Sequence, residues 1–138
     1  MTQELMFWPV IAMAALTFAV APQILIRRLQ AIFAGKASSE DFRNGESEQV
    51  PAEVSIPNRN YMNLLELPVL FYVVCIAFFV TRHTAPLDLG LAWTFTLARV
   101  AHSLVHLTYN NVLHRLAAFN LAAVCLAALW LRFALSLL

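Results

Sequence analysis

Between Leu5 and Ile26 the chain carries no charged residue, and the stretch ends on the pair Arg27–Arg28. A helix needs about 20 mostly apolar residues to cross the hydrocarbon core of a bilayer, so this stretch alone favours a chain solvated by lipid. Three more candidates follow: about 60–81, with Glu66 its one charge; about 87–109, the most polar; and about 112–137, uncharged from Leu116 to Leu131. The chain is 61% hydrophobic and 12% charged, against about 45–50% and about 25% in a soluble domain. The first stretch is too long for a cleaved signal, is preceded by Glu4, and is followed by a stop-transfer pair of arginines. It reads as a retained helix. The expectation is an all-α integral membrane protein of one domain, residues 1–138, with four transmembrane helices at about 5–33, 60–81, 87–109 and 112–137.

The hydrophilic connection 35–58, GKASSEDFRNGESEQVPAEVSIPN, holds Pro51, Pro57 and most of the acids, and reads as a long surface loop. The turns at 82–88 and 109–112 are short, which makes consecutive helices antiparallel neighbours in an up-down bundle. Arg27, Arg28, Lys36, Arg43, Arg59 and Arg115 gather on the loop side; Arg82 and Arg132 lie on the side of the termini. The bias predicts a cytoplasmic loop and termini in the periplasm or a lumen, as in a bacterial inner membrane. A net charge of +1 and the lack of surface basic–aromatic interleaving argue against nucleic acid. Cys75 and Cys125 fit no disulfide or CxxC pattern and read as small apolar residues.

The informative residues are the polar ones inside these segments. An ionisable group near the bilayer centre costs at least ~2.5–3.5 kcal/mol on insertion scales, so it needs a partner or a function. In NRNYMNLLELPVLFY (58–72), Arg59, Asn63 and Glu66 are spaced i, i+4, i+7; in the third segment Arg99, His102 and His106 are spaced i, i+3, i+7. Each set forms one helical stripe. Counting about 1.5 Å of rise per residue from Arg59 and from Tyr109 sets Glu66 about 10 Å deep, level with His102 and within reach of Arg99. Gln23, Arg27 and Gln30, and His114, Arg115 and Asn120, add polarity at the same end. One reading is a Glu66–Arg99 ion pair that fixes packing, with Asn63 as interhelical glue. The other is a polar cavity, open to the cytoplasm, for an anionic or zwitterionic ligand. His102 and His106 are spaced for a metal but have no third ligand at their depth except Glu66, so no metal site is expected. No GxSxG, Walker or glycine-rich phosphate motif occurs.

RNYMNLLELP (59–68) resembles the second-helix signature of the MAPEG proteins, the membrane-associated proteins of eicosanoid and glutathione metabolism. There an Arg, an Asn-x-x-Glu and a nearby Pro match Arg59, Asn63, Glu66 and Pro68. ARVAHSLVHLTYNNVLHR (98–115) is similar to the family's third helix and the start of its fourth, and length and loop placement agree over nearly the whole chain. The chain resembles the bacterial branch more than the eicosanoid synthases.

The resemblance implies a homotrimer that binds glutathione, as co-substrate, between helices of adjacent subunits near the cytoplasmic face. It implies that Arg115 is catalytic and stabilises the thiolate. Arg59, Asn63 and Glu66 would contact the tripeptide or hold the site, Arg99 and His102 would contribute from the third helix, and the first-helix arginine would be Arg27 or Arg28, with Arg27 carried forward. Two positions depart from the pattern: Met62 where several glutathione-using relatives have a second arginine, and His106 where a site tyrosine often lies. Another thiol therefore stays open as the ligand.

The implied chemistry is coherent. A guanidinium beside a thiol raises its thiolate fraction, arginine forks suit carboxylates, and Glu66 suits an ammonium. The expected activity is a membrane glutathione (thiol) transferase, or peroxidase-like enzyme, acting on lipophilic electrophiles that arrive from membrane lipid. The alternative is a non-catalytic membrane protein of the same scaffold that binds lipid or a protein partner. An ion or proton path is weaker, because nothing polar continues it through the other half of the bundle.

Overall fold

The structure, a computed structural model, describes residues 3–138. A 3-10 turn, Gln3–Met6, leads into α1 (Phe7–Phe33); α2 (Ala52–Leu65) and α3 (Leu67–Thr81) form one broken rod; α4 (Pro86–Leu107) and α5 (Val112–Ser136) complete the chain. The fold is all-helical. The α1 rod, the α2–α3 rod and α5 are each long and apolar enough to cross a membrane. The fourth, α4, has 22 residues, about 33 Å of helix, but is less apolar because it carries the buried polar row Asp88, Thr96, Arg99, His102, Ser103 and His106. Lipid need not solvate that row, since it is turned inward.

The ends follow from local chemistry. Arg82 closes α3 in the left-handed region at φ 59°, and its N–H and that of His83 return to Phe79 and Phe78 carbonyls, the usual way of satisfying last-turn acceptors. Asn111 caps α5 by accepting from the Leu113 and His114 amides at 3.0 and 3.1 Å, and Pro86 opens α4 where its missing N–H costs nothing.

The second rod differs from the expectation in two ways. It begins at Ala52, not near Asn60, so the hydrophilic connection is shorter than 35–58 by the first turns of α2. And it is interrupted: Glu66, at φ −90° and ψ −97°, leaves helical geometry between α2 and α3. Pro68 explains the break. It has no N–H for the Leu64 carbonyl, its ring crowds that carbonyl, and it disfavours helix at Leu67.

α4 packs most closely on α5; α1 lies against α2, α3 and α4, and α3 against α5. Met13, Val20, Leu64, Phe71, Phe78, Phe95 and Leu129 make the common core. Phe71 stacks on Phe95 with centroids 4.3 Å apart, a geometry that adds to area burial. Cys75 and Cys125 are buried there and unbridged. Facing outward are Phe18, Leu25, Val69, Val73, Val80, Val124 and Leu131, a surface suited to acyl chains. Trp93 is partly exposed.

The connection between α1 and α2 is itself folded. Arg28 bonds Glu46 at 3.3 Å and lies 4.9 Å from the Phe42 ring centroid, while Ala31, Val50 and Val54 form a small second core beneath it.

Candidate functional site

The inward polar row of α4 meets α2 and α5 at the end of the bundle nearest the α1–α2 connection. Arg99, the adjacent pair His102–Ser103, and His106 follow one another about a turn apart and are all buried. From α2, the buried Asn60 accepts the Ser103 hydroxyl at 3.1 Å, and the Asn63 carbonyl accepts Arg99 Nη2 at 2.7 Å. The His102 and His106 rings lie edge to face at 5.9 Å. From α5, Phe119 approaches both Arg99 and His102, at 5.7 Å from the guanidinium carbon and 6.2 Å between rings.

Arg115 stands in the first turn of α5. Its Nη1 donates to Asn110 Oδ1 at 2.8 Å, and Asn110 takes the left-handed conformation, φ 50°, that a short polar side chain tolerates. The pair of asparagines at 110–111 thus does two jobs: the first anchors Arg115, the second caps the helix. Between α4 and α5 a shallow cleft of about 180 Å³ is lined by His102, Val112, Arg115, Leu116 and Phe119. Val112 and Leu116 are exposed, so the cleft opens on the apolar exterior while its floor is cationic and aromatic.

Several buried polar atoms here have no partner among the described residues: Asn60 Nδ2, Arg99 Nε and Nη1, His102 Nδ1, both ring nitrogens of His106, and Arg115 Nε. Leaving such a group unpaired costs about 1–3 kcal/mol, so a ligand that bonded several would gain from each. Among the described residues no group of three or more His, Cys, Asp or Glu could hold a metal ion.

Of the residues singled out from the sequence, the fold brings Arg99, His102, His106, Arg115 and the backbone of Asn63 together. It does not pair Glu66 with Arg99. No ion pair joins them among the described residues; the helix break leaves Glu66 exposed, and Arg99 bonds the Asn63 carbonyl in its place. The depth count assumed an unbroken helix, which explains the error. The Asn63 side chain turns back to the Arg59 carbonyl at 3.1 Å. Arg59 is exposed and borders a separate cleft of about 610 Å³ with Ser55, Asn58 and the 46–50 segment. Arg27, also exposed, lines a third cleft with Gln30, Lys36 and Glu53. Within the chain the set is divided among three surfaces.

Asn60, Ser103, Asn110 and Phe119 were not expected as members of this cluster. An asparagine next to Arg59 and a serine next to His102 were the available signals for the first two; nothing in the sequence pairs Phe119 with Arg99.

A family model, that of the MAPEG family, matches residues 6–135, nearly the whole chain. No curated protein matches the sequence. No solved structure matches it either.

Proposed function

The chain belongs to the MAPEG family, and from that premise we propose that it is an integral membrane thiol transferase, with glutathione as the thiol, acting on lipophilic electrophiles. The observation that carries the reading is the Arg115 cleft. It sets a guanidinium beside His102 and Phe119 on a floor reached past the exposed Val112 and Leu116. An apolar electrophile dissolved in lipid reaches such a cleft without crossing water, and a thiol there lies against a fixed positive charge. A free thiol of pKa ~8.5 is only a few per cent ionised at neutral pH; the guanidinium favours the thiolate. Attack on a chlorinated nitrobenzene then forms the C–S bond and breaks C–Cl. Chloride leaves with the bonding pair, and the thiol proton goes to water.

In this reading all four rods cross the bilayer, the α1–α2 connection is cytoplasmic, and the protein is a homotrimer. Arg59, Glu66 and Arg27 lie on the outside of a single subunit, which suits a ligand site completed between subunits. There the arginines would take the tripeptide's carboxylates and Glu66 its ammonium.

The test is direct. Detergent-purified protein conjugates glutathione to a chlorinated nitrobenzene, and Arg115→Ala loses most of that rate. Absence of turnover together with absence of a glutathione-induced thermal shift would sink the proposal. The division of the polar residues among three surfaces gives some weight to a second reading, a non-catalytic scaffold that binds lipid or a protein partner. There Arg115→Ala is silent and Glu66→Gln weakens the oligomer.

A further inference from the structure

Arg99 is the largest fully buried side chain, at 0% exposure, and no carboxylate pairs with it among the described residues. A buried charge without a counter-charge is costly, so what balances it matters. Its Nη2 bonds the carbonyl of Asn63, in the last turn of α2, which ends one residue before Glu66. Last-turn carbonyls have no intrahelical donor, and hydrocarbon supplies none. The same end carries the negative pole of the helix dipole, equivalent to roughly half a charge. Glu66 acts on Arg99 through space without forming an ion pair, and the broken end of α2 is the group that Arg99 bonds directly.

We infer that Arg99 is a positioning residue: it holds the point where α2 stops and thereby the angle at which Asn63 and Glu66 leave the rod. Its other contact extends the hold. Phe119, 5.7 Å from the guanidinium carbon, also lines the Arg115 cleft, so one side chain ties the break in the second rod to the wall of the cleft on α5. Asn63 and Glu66 would bind the thiol substrate and Arg115 would act on its sulfur. Loss of Arg99 should accordingly weaken binding while sparing chemistry. That kinetic consequence rests on the thiol-transferase reading; the structural one does not.

Two variants separate the roles. Arg99→Met keeps most of the length and removes every donor; Arg99→Lys keeps the charge and a donor. Amide hydrogen exchange in detergent should be ~10–100-fold faster at residues 64–69 in Arg99→Met, from the loss of one charged hydrogen bond, with Arg99→Lys intermediate and α5 unchanged away from the turn that carries Phe119. KM for glutathione should rise by a similar factor while kcat stays within about twofold. Exchange at 64–69 that matches the wild type, or that rises equally along α5, overturns the inference, as does a fall in kcat at unchanged KM. Should Arg99→Met not fold, Arg99→Lys decides: partial, local acceleration supports the role and wild-type exchange refutes it. Should the wild type show no turnover, the thiol reading fails and the exchange pattern alone judges Arg99.

Discussion

Arg115 Nη1 donates to Asn110 Oδ1 at 2.8 Å, so the arginine proposed to act on the thiol is held by the left-handed residue that ends the turn before its own helix. Asn110→Gly keeps that backbone conformation and removes the acceptor; Asn110→Ala removes both. Glycine should lower kcat ~10-fold, the worth of one hydrogen bond to a charged group, with little change in thermal stability. Alanine should add a loss of about 1–2 kcal/mol for the strained φ. Steady-state kinetics and thermal unfolding in detergent check the two parts separately.

The cleft itself can be closed. Leu116→Trp fills a space of about 180 Å³ from its exposed edge. Turnover of bulky lipophilic electrophiles should fall at least about tenfold, corresponding to a ~1.4 kcal/mol rise in barrier, while glutathione's own thermal shift is kept. Equal turnover of small and bulky electrophiles by the variant would place their binding elsewhere.

At the opposite end, Arg132 on α5 bonds Asp88 on α4, and Asp88 is buried. Arg132→Met removes that ion pair but leaves Asp88 accepting the Ala85 amide at 2.8 Å, and with Arg132 partly exposed it should cost about 1–3 kcal/mol. The double variant Arg132→Met, Asp88→Asn removes both charges while keeping an acceptor for the Ala85 amide, and should recover much of the loss. Thermal unfolding of the three proteins in one detergent measures the coupling.

The α1–α2 connection carries a pH-dependent turn. Asp41 accepts the Ser38 amide at 2.7 Å and the Ser38 and Ser47 hydroxyls at 3.0 and 3.2 Å. The Ser38 amide bond first, then its hydroxyl, hold the Asp41 carboxyl below its ordinary 3.8. A depressed carboxylate stabilises the fold above its unfolded value and loses that effect as pH falls through the lowered one. Protection of the Ser38 amide from exchange should therefore be full at neutral pH and fade only below 3.8. Asp41→Asn should weaken protection at neutral pH and remove its pH dependence.

The helices were legible because lipid leaves one solution for a chain without charges from Leu5 to Ile26: every backbone group must be paired within the segment. The inward face of α4 was legible too, since Arg99, His102 and His106 share a stripe. What periodicity missed was the rod at 52–81. Ala52–Asn58 looked like loop because it holds Glu53, Pro57 and Asn58, yet Val54 and Pro57 are buried against α1 and the connection. The expected helix over 60–81 ran through Pro68, whereas that residue ends α2. That one misjudged residue moved Glu66 from the interior to the surface and gave Arg99 the Asn63 carbonyl as its bonded partner. Phe119 against Arg99 is a tertiary meeting that no local pattern encodes.

The break at Glu66 also bears on how the protein meets its solvent. α3 has 15 residues, about 22 Å of helix, while a typical hydrocarbon core is about 30 Å thick. The last two turns of α2 must supply the remainder. They are the turns that carry Asn60 and Asn63, so a thicker bilayer would draw those polar groups towards acyl chains and a thinner one would relieve them. Hydrophobic mismatch costs fractions of a kcal/mol per ångström; acting at a jointed rod, it is spent on the joint. Membrane thickness thus becomes a variable of the Arg99–Asn63 contact, and lipids of short chain length are the ones in which the second rod fits without bending further.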